Sequence, residues 1–186
     1  MNVPNYITFF RILIIPFLII TFYVPENVLG GLSRNFLATF FFILAGISDW
    51  LDGYLARKMG LESKFGAFID PVADKLIVIS SLVMLVELDR VSAIIAVIII
   101  GREVAVSALR EWMAGIGASN HVAVAFIGKL KTTLQFIAIA LLLFFDDIFF
   151  IPISFLGQVT IWAAALLTII SMLYYLKQAF TLKQSN

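Results

Sequence analysis

The 186-residue chain contains no cysteine, a single histidine (His121) and only 13% charged residues. Without cysteine there is no disulfide framework and no thiolate chemistry. One histidine and no cysteine also leave no ligand set for a zinc site. No Ser, Cys or His nucleophile is placed with a partner base, and His121 stands alone as an interfacial residue. Soluble domains carry charge on about 25% of their residues, so half of the usual polar cover is missing. The net charge of +1 provides no electrostatic footprint for nucleic acid. There is no internal repeat or low-complexity tract. What fills the chain instead is apolar: 62% of it is hydrophobic, with 18 phenylalanines, and its mean hydropathy is +1.05. A domain of this size cannot hide that much apolar surface in one core. The composition defines an integral membrane protein.

Apolar stretches fall at Ile12–Pro25, Asn35–Ser48, Leu76–Val86, Val91–Gly101, Thr132–Phe145 and Ile148–Leu176. A crossing needs about 20 mostly apolar residues. Only the last stretch reaches that length unaided; the other five continue into segments that carry charge. The expected fold is therefore all-α, a bundle of six membrane helices, several with charged residues on one half of their length. Residues 1–180 form one membrane domain, and 181–186 are a polar tail. The first apolar run lacks a small-residue cleavage site before Glu26, so it reads as a retained span rather than a signal peptide. With the N-terminus cytoplasmic, eleven of the 13 Lys and Arg residues lie inside and only Arg34 and Arg90 outside. That bias places both termini on the cytoplasmic side of the inner membrane.

The charges that remain are concentrated. Asp49 and Asp52 lie three apart, and Asp70 and Asp74 four apart, so each pair shares one helix face. A short loop around Gly60 returns the chain and lets the two faces oppose each other. Gly53, Ala56 and Gly66 each sit one turn from an aspartate, leaving room for a ligand. Taken singly, each aspartate has a plainer explanation. Asp70-Pro71 fits a helix N-cap with proline at the first helical position, Asp74 fits a charge answering the helix dipole, and Asp49 and Asp52 fit charges paired with Arg57 or Lys58. Taken together, four converging carboxylates repel one another unless cations balance them. All-oxygen ligation suits two divalent ions, Mg²⁺ or Mn²⁺. A paired-metal site beside a membrane suits phosphoryl transfer.

From Asp49 to Asp74 the sequence reads D-x2-D-G-x2-A-R-x8-G-x3-D-x3-D, eight fixed positions over 26 residues without a gap. It resembles the signature of the CDP-alcohol phosphatidyltransferases, and the similarity extends to about Leu176. The resemblance implies a six-helix bundle that works as a homodimer; the segment Pro4–Arg11 is itself amphipathic in part and reads as a short interfacial helix. It implies that Asp49, Asp52 and Asp70 are metal ligands. Asp74 is then the general base and a further contact to metal. By the same resemblance Asn5, Thr8, Gly53, Ala56, Arg57 and Gly66 bind a CDP-linked lipid.

Three more segments bear on the acceptor alcohol. These are the N-terminal stretch, Gly101-Arg102-Glu103 through Arg110, and Gly128-Lys129-Leu130-Lys131-Thr132. Arg102 and Arg110 are close to two turns apart and share a face. With Lys129 and Lys131 they provide a cationic pocket for an acceptor that carries its own phosphate. Plainer explanations are an interfacial anchor for the first segment, structural pairing for Arg102 and Glu103, and interfacial lysines for the third. The segments are similar to those of family members acting on CDP-diacylglycerol and sn-glycerol 3-phosphate, with CMP as co-product. The nearest alternative is a CMP-forming, cardiolipin-producing member whose acceptor is phosphatidylglycerol. A cation-coupled transporter is a more distant one, because charge gathers at one membrane face rather than along a path.

Overall fold

The structure is a computed structural model that describes residues 3–59, 64–115 and 126–184. Seven helices lie among them: α1 (Val3–Tyr23), α2 (Glu26–Leu29), α3 (Gly31–Met59), α4 (Lys64–Glu87), α5 (Ala93–Gly115), α6 (Phe126–Phe144) and α7 (Ile153–Gln184). There is no β-strand among the described residues, only an isolated bridge between Ile148 and Ile151 in the α6–α7 turn. The all-helical class expected from the composition holds.

The six long helices alternate in direction. One end of the bundle gathers Thr8, Arg11, Asp49, Asp70 and Asp74. At the other end the Tyr23 hydroxyl donates to Glu87 at 3.1 Å, and Arg90 meets the last turn of α6. Helix α1 packs on α3 and α4, α6 on α7 and α3, and α5 on α7. Their shared core includes Leu18, Phe42, Leu85, Ile99, Ile139 and Leu142, all inaccessible to solvent. Two close approaches depend on glycine. A Cβ on Gly46 would lie 2.4 Å from the Phe136 ring, which stacks on Phe42 at a centroid distance of 4.6 Å. A Cβ on Gly157 would lie 2.8 Å from Leu142. Small residues at crossings allow the backbones of membrane helices to approach closely.

The outside of the bundle is broadly apolar. Every long helix exposes large hydrophobic side chains, among them Phe17, Phe36, Val83, Val97, Ile137 and Trp162. Water does not tolerate so broad an apolar surface on a monomer; hydrocarbon does. By length and apolarity, one helix among the described residues (Ile153–Tyr174) suffices to cross a membrane. Two shorter apolar helices accompany it, Ile7–Tyr23 and Leu130–Phe144.

Three expectations change in detail. The N-terminal segment is not a separate interfacial helix, because α1 runs unbroken from Val3 to Tyr23. Pro4 sits in the first turn, where its missing N–H costs nothing, and α1 continues through Pro16. Asp70 is no N-cap: it lies inside α4, six residues past Lys64, with Pro71 also internal. Helix α7 continues through Gln184, so residues 181–184 of the expected tail are helical.

The far end is fastened by a buried arginine in the turn between α4 and α5. Arg90 Nη1 donates to the carbonyls of Leu142 and Leu143 at 3.1 and 2.9 Å, closing the C-terminus of α6. Its Nη2 donates to Asn35 Oδ1 at 2.8 Å, and Asn35 Nδ2 donates to Asp146 at 2.6 Å. The guanidinium also lies 4.3 Å from the centroid of Phe145, a residue held at φ 62°. Burial, and then the nearby Arg34, pull the Arg90 pKa below its usual value, while Asp146 opposes them. An arginine so well supplied with acceptors remains charged.

Candidate active site

Helices α1, α3 and α4 build the carboxylate cluster. Asp49 stands two-thirds of the way along α3, and Asp70 and Asp74 lie one turn apart on α4. Thr8 and Arg11, three residues apart on α1, face both of them. The Thr8 hydroxyl donates to Asp70 Oδ1 at 2.6 Å. Arg11 Nη1 lies 3.0 Å from Asp49 Oδ1 and also binds Asp74 Oδ1. The Arg11 side chain is 1% exposed, whereas those of Asp49 and Asp74 are 51% and 45% exposed. A buried cation thus holds two accessible anions together from behind.

Through Thr8 and Arg11 of α1, Asp49 of α3 and Asp70 and Asp74 of α4 stand at the same end of the bundle. The structure adds Arg11, which the sequence offered only as a charge following the positive-inside rule. A signal was present: Thr8 and Arg11 form the polar face of an otherwise apolar helix. Gly66 is buried one turn before Asp70. Asp52, Gly53, Ala56 and Arg57 continue α3 beyond Asp49, but their side chains lie outside the described residues, as do those of Asn5, Arg110 and Lys129. The Gly60 loop and His121 also lie outside them.

A cavity of about 750 Å³ opens beside the aspartates. Its polar wall includes Arg11, Asp49, Asp74, Arg102, Glu103 and Gln135, with apolar relief from Gly46 and Phe136. Arg102 is 6% exposed; its guanidinium reaches Glu103 at 3.4 Å and Ser171 at 3.3 Å. Lys131 is fully buried and binds the same Glu103 oxygen. Arg102 therefore lines the cavity, while Lys131 sits behind Glu103 rather than on the wall. Glu103 links the two cations across α5 and α6.

The donor type suits hard divalent ions, since Asp49 and Asp74 supply only oxygen and line an accessible cavity. Among the described residues no three carboxylate, histidine or cysteine side chains close around a single point. Arg11 lies between Asp49 and Asp74, and an ion at this site would also require Asp52, the next aspartate along α3.

Carboxylates on two helices thus stand beside a cavity lined by both acidic and basic side chains. The profile of the CDP-alcohol phosphatidyltransferases matches residues 1–170. The chain belongs to that family and is a phosphatidyltransferase. Its relatives narrow the class. It is 44% identical over 180 residues to the CDP-diacylglycerol–glycerol-3-phosphate 3-phosphatidyltransferase of Haemophilus influenzae (strain ATCC 51907 / DSM 11121 / KW20 / Rd), covering 96% of this chain and 93% of that protein. The proteins of the same name from Wigglesworthia glossinidia brevipalpis and Escherichia coli (strain K12) are 42% and 41% identical, over 94% and 96% of this chain and 93% and 94% of theirs.

Proposed function

We propose that the chain transfers the phosphatidyl group of CDP-diacylglycerol to sn-glycerol 3-phosphate, releasing phosphatidylglycerophosphate and CMP. The single observation that carries this reading is the site itself: accessible Asp49 and Asp74 share a cavity with the buried cations Arg11 and Arg102. The near-full-length likeness to enzymes of that name supports the same choice of acceptor.

Six membrane crossings, with the aspartates at the cytoplasmic end, fit both the apolar exterior and the distribution of Lys and Arg. The acyl chains of the lipid then remain in the bilayer while its diphosphate reaches the aspartates. Asp49, Asp52 and Asp70 are the ligands for two divalent ions, Mg²⁺ or Mn²⁺. When bound, those ions neutralise the diphosphate and the charge that develops on departing CMP. Gly53, Ala56 and Arg57 supply the nucleotide contacts, with Asn5, Thr8 and Gly66 completing the CDP-lipid side.

Asp74 takes the proton of the primary hydroxyl of glycerol 3-phosphate. The oxygen freed of that proton attacks the phosphorus bearing diacylglycerol, and the bond from that phosphorus to CMP breaks. Arg102, with Arg110 and Lys129, binds the acceptor's own phosphate, while Lys131 acts on it through Glu103. Arg11 keeps Asp49 and Asp74 at a fixed separation. A homodimer, as the family resemblance implies, is compatible with the broad apolar exterior.

Purified enzyme with Mg²⁺ and CDP-diacylglycerol tests the proposal by thin-layer identification of the lipid product. Glycerol 3-phosphate should give phosphatidylglycerophosphate. Turnover with phosphatidylglycerol instead would assign the cardiolipin-forming reaction. Asp74→Asn should slow CMP release by roughly 10²–10⁴-fold, and a near-normal rate would remove Asp74 from the role of base.

A further inference from the structure

One cavity residue is absorbed neither by the family signature nor by the ion pairs. Gln135 lies on α6, one turn beyond Lys131, and is 4% exposed. It lines the cavity, yet its Oε1 has no hydrogen-bond partner among the described residues. Buried carboxamide oxygens without a partner are rare in folded proteins, and each calls for a physical explanation.

Its depth limits the candidate partners. Phe136, the next residue, packs on Gly46 of α3, which precedes Asp49 by three residues. Helices α3 and α6 run antiparallel, so Gln135 sits about one turn deeper in the bundle than Asp49 and Lys131. It forms the floor beneath the aspartates. An acceptor oxygen there needs a hydrogen-bond donor. The diacylglycerol portion of the lipid substrate has only ester oxygens and donates nothing. Ionised phosphate donates nothing either, and the cytidine contacts lie further along α3 at Gly53–Arg57. The acceptor alcohol is the one ligand with a donor to offer at this depth. Its primary hydroxyl goes to Asp74 and its phosphate to Arg102, which leaves the secondary hydroxyl.

We propose that Gln135 reads the secondary hydroxyl of the acceptor by accepting its hydrogen bond at Oε1, and so selects a polyol phosphate over its deoxy analogue. The inference rests on the acceptor assignment given above. A site built around a substrate hydroxyl rejects the analogue that lacks it, because the protein group is then left buried without a partner.

The test compares sn-glycerol 3-phosphate with 3-hydroxypropyl phosphate, which lacks only the secondary hydroxyl, in the full-length enzyme and in Gln135→Met. Wild type should favour glycerol 3-phosphate by roughly tenfold to a hundredfold in kcat/KM. Gln135→Met, similar in volume but apolar at its end, should bring that ratio close to one. It should do so mainly by raising the KM for glycerol 3-phosphate, with KM for CDP-diacylglycerol unchanged. A purely structural role would slow both acceptors alike and preserve the ratio, which would overturn the inference. Equal use of the two acceptors by wild type would overturn it whatever the variant does, including a variant that fails to fold. Absence of any phosphatidylglycerophosphate from wild type would instead refute the acceptor assignment, a separate and recognisable failure.

Discussion

Arg11 offers the most direct perturbation of the carboxylate cluster. Its side chain is 1% exposed, and one nitrogen serves both Asp49, at 3.0 Å, and Asp74. Arg11→Met preserves much of the apolar stem and removes the charge. Breaking a fully buried ion pair costs about 3–5 kcal/mol. Here the two carboxylates are about half exposed, so water recovers part of that loss and a cost of about 1–3 kcal/mol is the better expectation. At roughly 2–4 °C per kcal/mol for a chain of this size, the melting midpoint should fall by several degrees. The cleaner measurement is a double-mutant cycle with Asp74→Asn, read as unfolding free energy in mixed micelles, where no catalysis is needed. If Arg11 acts by holding Asp74, the two losses should be non-additive by at least about 1 kcal/mol. Additivity within about 0.5 kcal/mol would show that the contact carries no energy and would refute the structural role assigned to Arg11.

Three further outcomes follow from other parts of the bundle. Arg102→Met and Arg110→Met should each raise the KM for glycerol 3-phosphate more than that for CDP-diacylglycerol, and an unchanged acceptor KM would remove that residue from the phosphate site. Gly46→Ala should destabilise by about 1–3 kcal/mol, since the added methyl must displace a ring that is stacked on Phe42; Phe136→Leu in the same chain should restore part of the loss in thermal unfolding. Arg90→Met should lower the melting midpoint, because three acceptors lose their donor, while kcat/KM of the folded fraction stays within about twofold. A matching loss of catalytic efficiency would show that the far end of the bundle is coupled to the site.

The sequence made some of this legible and hid the rest for physical reasons. Helix positions and the aspartate cluster were legible because both are periodic: apolar runs mark spans, and spacings of three and four mark shared faces. The role of Arg11 was hidden because its partners lie 38 and 63 positions away along the chain, and local spacing does not report a contact of that range. Gln135 was hidden for a related reason. An amide in an apolar run reads as a tolerated polar residue until the cavity beside it is known. Lys131 was read with Arg102, Arg110 and Lys129 as one cationic pocket, and its spacing did not reveal its counter-ion on α5. The fold instead buries it behind Glu103, because a lysine deep among helices needs a counter-ion at hand.

The two ends of the bundle show how a buried arginine in a membrane protein can be read. Intramembrane charge is costly, and the usual first hypothesis is function. Arg90, buried in the turn between α4 and α5, is a different case. Its donors end on two backbone carbonyls and an amide oxygen, and its face lies against Phe145, so its capacity is taken up by the fold. Arg11 and Arg102 are similarly buried, but their partners include carboxylates that line the cavity. Burial alone therefore does not separate a structural cation from a functional one. The distinction lies in the partner: backbone carbonyls fix a helix end permanently, whereas an accessible carboxylate retains lone pairs for a substrate or an ion. By that criterion the charge proposed to act on substrate, among the described residues, lies at the end of the bundle that carries Asp49, Asp70 and Asp74. A substitution at the opposite end should change how long the enzyme survives, and one at the aspartate end should change what it does.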